Sequence, residues 1–79
     1  MQLSITVEDQ DRKTIDIIVN SEQKIKDALA ILEDAGMIKM TNKRQLVWSS
    51  RRGQEVSTGS TFKEAGILYG DILTLGKRG

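Results

Sequence analysis

A chain of 79 residues with no cysteine and no histidine has neither disulfide staples nor the usual ligands of a structural zinc, so one apolar core must hold it together. The same two absences remove the usual neutral-pH acid–base group and the thiol nucleophile, and leave the serines with no imidazole to activate them, so an enzyme is not expected. The net charge of +1 conceals an asymmetry: residues 1–36 carry eight acids and four bases, net −4, and residues 37–79 carry three acids and eight bases, net +5.

A small chain buries only about 60% of the surface its unfolded form exposes, so each apolar row matters. No stretch reaches the ~20 apolar residues of a membrane span. Met1–Val7 alternates instead of running apolar as a signal peptide does. Together these features suggest a cytoplasmic protein forming one domain over residues 1–79. A two-signed surface suits a protein partner better than a nucleic-acid backbone, whose binders usually carry a net positive charge.

The elements follow in order. Leu3, Ile5 and Val7 alternate with Ser4, Thr6 and Glu8, which predicts a half-buried strand. Asp9-Gln-Asp-Arg12 reads as a polar turn. Ile15, Ile17 and Val19 alternate with Thr14, Asp16 and Ile18, a second strand closing a hairpin. Ile18 breaks the alternation and should lie on the surface. Asn20-Ser21 supplies an N-cap, Glu22 suits the positive end of a helix, and Ile25, Ala28, Leu29 and Leu32 form one apolar helical stripe. Gly36 ends this helix, predicted over residues 22–35. Met37, Ile38 and Met40 are more apolar than a connection requires, and some of them should close one end of the core.

Leu46, Val47 and Trp48 form a third strand over residues 45–49, with a turn at Ser50-Arg51-Arg52-Gly53 and a short strand around Val56. Thr61–Ala65 reads as a helical turn, Gly66 as its break, and Tyr69-Gly70-Asp71 as a tight turn into a last strand over residues 72–75. One helix between two groups of strands is an α+β arrangement, with the helix across one sheet face.

Two groups invite chemistry. Asp9 and Asp11 are a close carboxylate pair, but without a calcium-loop pattern they read as a solvated hairpin tip. Lys43, Arg44, Arg51 and Arg52 around Trp48 could stack and neutralise a single-stranded nucleic acid. Trp48 is the chain's largest apolar side chain and is expected to be partly buried. With one Trp, one Tyr and one Phe, a stacking platform is poorly supplied, so nucleic acid is the weaker reading.

This order of elements resembles the β-grasp, or ubiquitin-like, fold. Met1-Gln2 with Leu3, Ile5 and Val7 is similar to the opening of ubiquitin. Gln45-Leu-Val-Trp48 is similar to ubiquitin's Arg-Leu-Ile-Phe, and Thr61–Ile67 followed by Gly70–Leu75 to the closing pattern of many ubiquitin-like domains. The resemblance implies a mixed four- to five-stranded sheet in the order second strand, first, last, third, with the short strand at the edge, and with Leu73 and Leu75 pointing inward. It places Val47 on the exposed sheet face at the centre of the family's apolar patch, with Gly76 at a second patch position. It places Lys77-Arg78-Gly79 just beyond the sheet, without the Gly-Gly tail that conjugated relatives carry.

The short, tail-less form most resembles the YukD/EsaB family of bacterial type VII (WXG100, Ess/Yuk) secretion systems. That resemblance implies a non-conjugated accessory or regulatory protein acting through protein contacts. The expected contact surface is Arg44, Val47, Arg51, Arg52, Lys77 and Arg78. No catalytic residue, cofactor, metal or small-molecule substrate is expected. The alternatives are a modifier or sulfur carrier activated at Gly79, and a small nucleic-acid-binding domain.

Overall fold

A computed structural model of the chain describes residues 1–39 and 46–75. The alternating row of Leu3, Ile5 and Val7 forms β1 (Gln2–Glu8), paired antiparallel along its whole length with β2 (Thr14–Asn20). The strands meet at a tip where Arg12 N–H donates to Asp9 O (3.0 Å) and Asp9 N–H to Lys13 O (2.8 Å). Arg12 takes a left-handed φ of 64° to close it.

Helix α1 (Ile25–Asp34) follows. Its stripe of Ile25, Ala28, Leu29 and Leu32 is buried as the 3.6-residue period requires. It begins three residues later than the sequence suggests. Asn20 closes a local turn instead, its side chain accepting from the Glu22 N–H (2.9 Å) and its carbonyl from the Gln23 N–H (2.9 Å). The first helical donors are satisfied from a distant loop: Ile25 N–H donates to Ser60 O (3.0 Å) and Lys26 N–H to Thr58 O (2.9 Å). At the other end Gly36, with φ 73°, donates to Glu33 O and Met37 N–H to Leu32 O, both at 2.9 Å. This bond pair closes a helix through a left-handed residue and accounts for the glycine.

β3 (Leu46–Ser49) and β4 (Gln54–Ser57) form a second antiparallel hairpin. Thr61 and Glu64 then cap each other: Thr61 N–H donates to Glu64 Oε1 (2.9 Å) and Glu64 N–H to Thr61 Oγ1 (3.0 Å). This reciprocal pair starts the helical turn. It drops Phe62, the largest fully buried side chain, into the core. β5 (Ile72–Thr74) pairs parallel with β1 and antiparallel with β3. The sheet order is β2-β1-β5-β3-β4, as the ubiquitin-like resemblance implies. Leu75 lies just past β5, buried, its N–H still donating to Glu8 O (2.8 Å).

The core lies between one sheet face and α1. It combines Leu3, Ile5, Val7, Val19, Val47, Val56, Leu73 and Leu75 from the sheet side with the α1 stripe, Ile38, Phe62 and Ile67. Of the apolar residues after α1, Ile38 enters this core, Met37 stays half-exposed, and Met40 lies outside the described residues. Among the described residues no helix is long and apolar enough to cross a membrane.

The hairpin tip is solvated only in part: Asp11, Arg12 and Lys13 are exposed as the sequence suggests, but Asp9 is not. Asp9 is buried, its Oδ1 accepting from the Asp11 and Lys13 N–H groups (2.9 Å each) and its Oδ2 from the Lys39 N–H (3.3 Å). It ties the tip to the segment after α1. Burial alone raises the carboxyl pKa, but the three backbone donors and the nearby Lys13 charge outweigh it, leaving Asp9 below the ordinary aspartate value. Asp11 stays at the surface, with Lys39 Nζ 3.8 Å away.

Candidate interaction surface

The sheet face opposite α1 is built by the other half of each alternation. Cross-strand register aligns Thr6 with Ile72, Glu8 with Thr74, Trp48 with Thr74 and Glu55 with Trp48. Successive strand side chains point to opposite faces, so Leu46, Trp48, Ile72 and Thr74 share this open face with Thr6 and Glu8. Leu46 and Ile72 are exposed and Trp48 is half-buried.

Val47 is a correction. It is 1% exposed and faces Val56 inside the core, so it cannot serve as a contact residue on the open face. The likeness to Arg-Leu-Ile-Phe misleads by one residue, and a one-residue slip in a strand exchanges its two faces. Leu46 and Trp48 take the outward positions on either side of it. The expected partial burial of Trp48 holds, but on the outer face and not in the core.

Arg51 and Arg52 lie where the sequence places them, exposed on the β3–β4 turn. What sequence reasoning missed is the group that positions them. Asp71 is fully buried at the corner before β5. Its Oδ1 accepts from the Arg51 N–H (3.0 Å) and from the Ile72 N–H (2.7 Å), and its Oδ2 accepts from the Ser49 hydroxyl (2.5 Å). Ser49 Oγ in turn accepts from the Arg52 N–H (3.3 Å), and Ser50 N–H donates to Ile72 O (3.0 Å). One carboxyl group therefore locks the basic turn to the corner carrying exposed Leu68, Tyr69 and Ile72. The Arg52 side chain lies over Gly66, where a Cβ would collide with its guanidinium. In sequence, Gly70-Asp71 signals only a turn, and the link to Ser49 spans 22 positions.

Arg44, Lys77 and Arg78, with Gly79, lie outside the described residues. Arg51 and Arg52 are thus the described members of the expected basic surface. Leu46, Trp48 and Ile72 form an apolar strip on the open face, and Arg51 and Arg52 lie exposed on the turn that follows β3. Arginine and tryptophan are enriched among residues that dominate interface energies. The strip can bind by surface burial and charge.

No family model matches the chain, and no curated protein does. Solved structures do match. A de novo protein designed on the basis of ubiquitin aligns with a TM-score of 0.70 and 24% identity, covering 98% of this chain and 89% of that one. The C-terminal ubiquitin-like domain of mouse tubulin-specific chaperone e aligns with a TM-score of 0.66 and 14% identity, covering 99% of this chain and 88% of that one. At these identities the likeness is one of fold: the chain has the ubiquitin-like β-grasp fold, a mixed five-stranded sheet with one main helix.

Proposed function

We propose that this ubiquitin-like chain is a non-conjugated, non-enzymatic protein–protein interaction module that binds through the open sheet face and the adjoining basic turn. The observation that supports it best is the strip of Leu46, Trp48 and Ile72, with Arg51 and Arg52 exposed on the turn after β3 that buried Asp71 holds. The apolar members supply area that a partner can dehydrate. The arginines meet an acidic patch and mainly raise the association rate. A stable complex of ordinary size covers about 800 Å² on each side, which requires residues around the strip as well as the strip itself.

In its finer form, the partner is a cytosolic part of a bacterial type VII secretion apparatus, and the chain is a cytoplasmic accessory or regulatory component of the YukD/EsaB kind. This finer reading rests on the family resemblance of the sequence. The test is charge reversal. An Arg51→Glu/Arg52→Glu variant, shown by circular dichroism to be folded, is expected to lose partners captured by the wild type, including the cytosolic secretion component. Unchanged recovery overturns the placement of the surface. Recovery of a partner unrelated to secretion overturns only the finer assignment.

A further inference from the structure

The charges on the open sheet face are all of one sign. Among the described residues, no strand contains a lysine or an arginine. Of the strand residues that point away from α1, the charged ones are Glu8, Asp16 and Glu55. The register sets them in two rows across the face. Asp16, Thr6 and Ile72 stand side by side in one, and Thr14, Glu8, Thr74, Trp48 and Glu55 in the other. Glu8 and Glu55 lie three strand spacings apart, roughly 14 Å, with Thr74 and Trp48 between them. The apolar strip therefore has carboxylates on both flanks.

The chain does not neutralise these groups itself. Among the described residues none of the three makes an ion pair. Asp16 accepts from the Thr6 hydroxyl (2.6 Å) and Glu8 from the Thr74 hydroxyl (3.3 Å), bonds that orient a carboxylate without cancelling its charge. The exposed cations stand on turns. Arg51 and Arg52 follow β3, and Arg12 and Lys13 lie at the β1–β2 tip. Because β5 runs parallel to β1 and antiparallel to β3, those two turns lie at opposite ends of the face. The face has an acidic middle and basic ends. Nor are the acids gathered for a metal: among the described residues no group of three or more could hold one.

A buried charge left without a partner is strongly destabilising. A protein that covered Trp48 and Ile72 with apolar or acidic residues alone would strip water from Glu8 and Glu55 and leave both unpaired. A second copy laid face to face would set acidic middle on acidic middle, which disfavours a dimer through this face. Arginine fits the vacant role best. Its planar guanidinium offers two parallel donors to a carboxylate, and its weak hydration lowers the cost of burial.

We propose that the open face takes a partner surface with arginines at its centre, their guanidinium groups paired with Glu8 and Glu55 and aliphatic residues between them packed over Trp48 and Ile72. Acidic residues of the same partner, set toward the β3–β4 turn, meet Arg51 and Arg52. Glu8 and Glu55 select the partner, and the basic turn orients it. The proposal rests on the open face being the binding surface, and adds the chemistry that this face demands.

The probes are three synthetic peptides of equal length with the same leucines, in which every intervening residue is arginine, glutamine or glutamate. Each is titrated into isotope-labelled protein and followed by nuclear magnetic resonance. The arginine peptide is expected to bind with a Kd below ~1 mM, moving the amides of Glu8, Trp48, Glu55 and Thr74. The glutamine and glutamate peptides are expected to bind about tenfold more weakly or worse. Glu8→Gln/Glu55→Gln keeps a side-chain oxygen at both positions and, shown by circular dichroism to be folded, is expected to bind the arginine peptide about tenfold more weakly. Arg51→Glu/Arg52→Glu should bind it no less tightly than the wild type. Equal binding of the arginine and glutamine peptides at this face, or undiminished binding by the glutamine variant, would overturn the proposal and leave the open face standing as a binding surface. Shifts confined to α1 around Asp27, Glu33 and Asp34, or no shift with any peptide at ~1 mM, would overturn the proposal and count against the open face as well.

Discussion

Replacing Asp71 by alanine tests how the basic turn is held. The substitution removes the acceptor of three hydrogen bonds, from the Ser49 hydroxyl and from the Arg51 and Ile72 N–H groups. Each is worth about 1 kcal/mol net. The Ser49 hydroxyl is fully buried, so orphaning it adds a desolvation cost of about 1–2 kcal/mol. The expected loss is ~3–5 kcal/mol, a large share of the roughly 4–12 kcal/mol available to a chain of this length. Asp71→Asn keeps the shape and one carbonyl oxygen for the two N–H donors. The Ser49 hydroxyl can rotate to accept from the new amide, so the cost is expected to fall to ~1–2 kcal/mol. Urea unfolding followed by Trp48 fluorescence measures both, with unchanged m-values confirming that stability alone has moved. A loss below ~1 kcal/mol for Asp71→Ala would mean that the Ser49–Asp71–Arg51 network does not hold the turn.

Asp9 makes stability depend on pH. Its folded-state pKa lies below the ordinary value, so its contribution is present above about pH 4 and is lost as pH falls through the folded pKa. Asp9→Asn is expected to flatten the acid side of the stability curve, read as urea midpoints from about pH 2 to 7; an unchanged acid slope would refute it. Gly66 has φ +74° and lies under the Arg52 guanidinium, whereas Gly53 has φ +65° and open space around its Cβ position. Gly53→Ala should cost about 1–2 kcal/mol from the left-handed backbone alone, and Gly66→Ala more, because Arg52 must also move; equal losses would show that Arg52 does not pack there. Phe62→Ala should cost ~3–5 kcal/mol as a core cavity, and Tyr69→Ala, at an exposed corner, should stay within about 0.5 kcal/mol in thermal or urea unfolding.

Most of the fold was legible because its signals are local. Period-two alternation identified β1 and β2, and the Ile25–Leu32 stripe identified α1, since burying one face imposes those periods. The strand order came from resemblance, because no local signal says which strands become neighbours. The misreadings have a common cause. The start of α1 moved because Thr58 and Ser60, more than thirty positions away, supply its first acceptors. Asp9 and Asp71 looked like turn residues, and their burial depends on donors brought in from Lys39 and from Ser49 and Arg51. Val47 illustrates a different limit. In the short run Leu46-Val-Trp48 every residue is apolar, so composition cannot tell inward from outward, and only the pairing Val47↔Val56 decides it. Of the outward residues that the open face presents, Leu46 was therefore missed as a contact candidate, and Trp48 was weighed only as a nucleic-acid stacker.

Chemical-shift mapping with a captured partner tests the proposed interaction most directly. Adding that partner to the isotope-labelled chain should move the amides of Leu46, Trp48, Ser50–Arg52, Ile72 and Thr74, and the Arg51→Glu/Arg52→Glu variant should show no such movement at the same concentrations. Shifts that spare this face, or a partner bound equally by the variant, would contradict an interaction module working through the open sheet face and its basic turn.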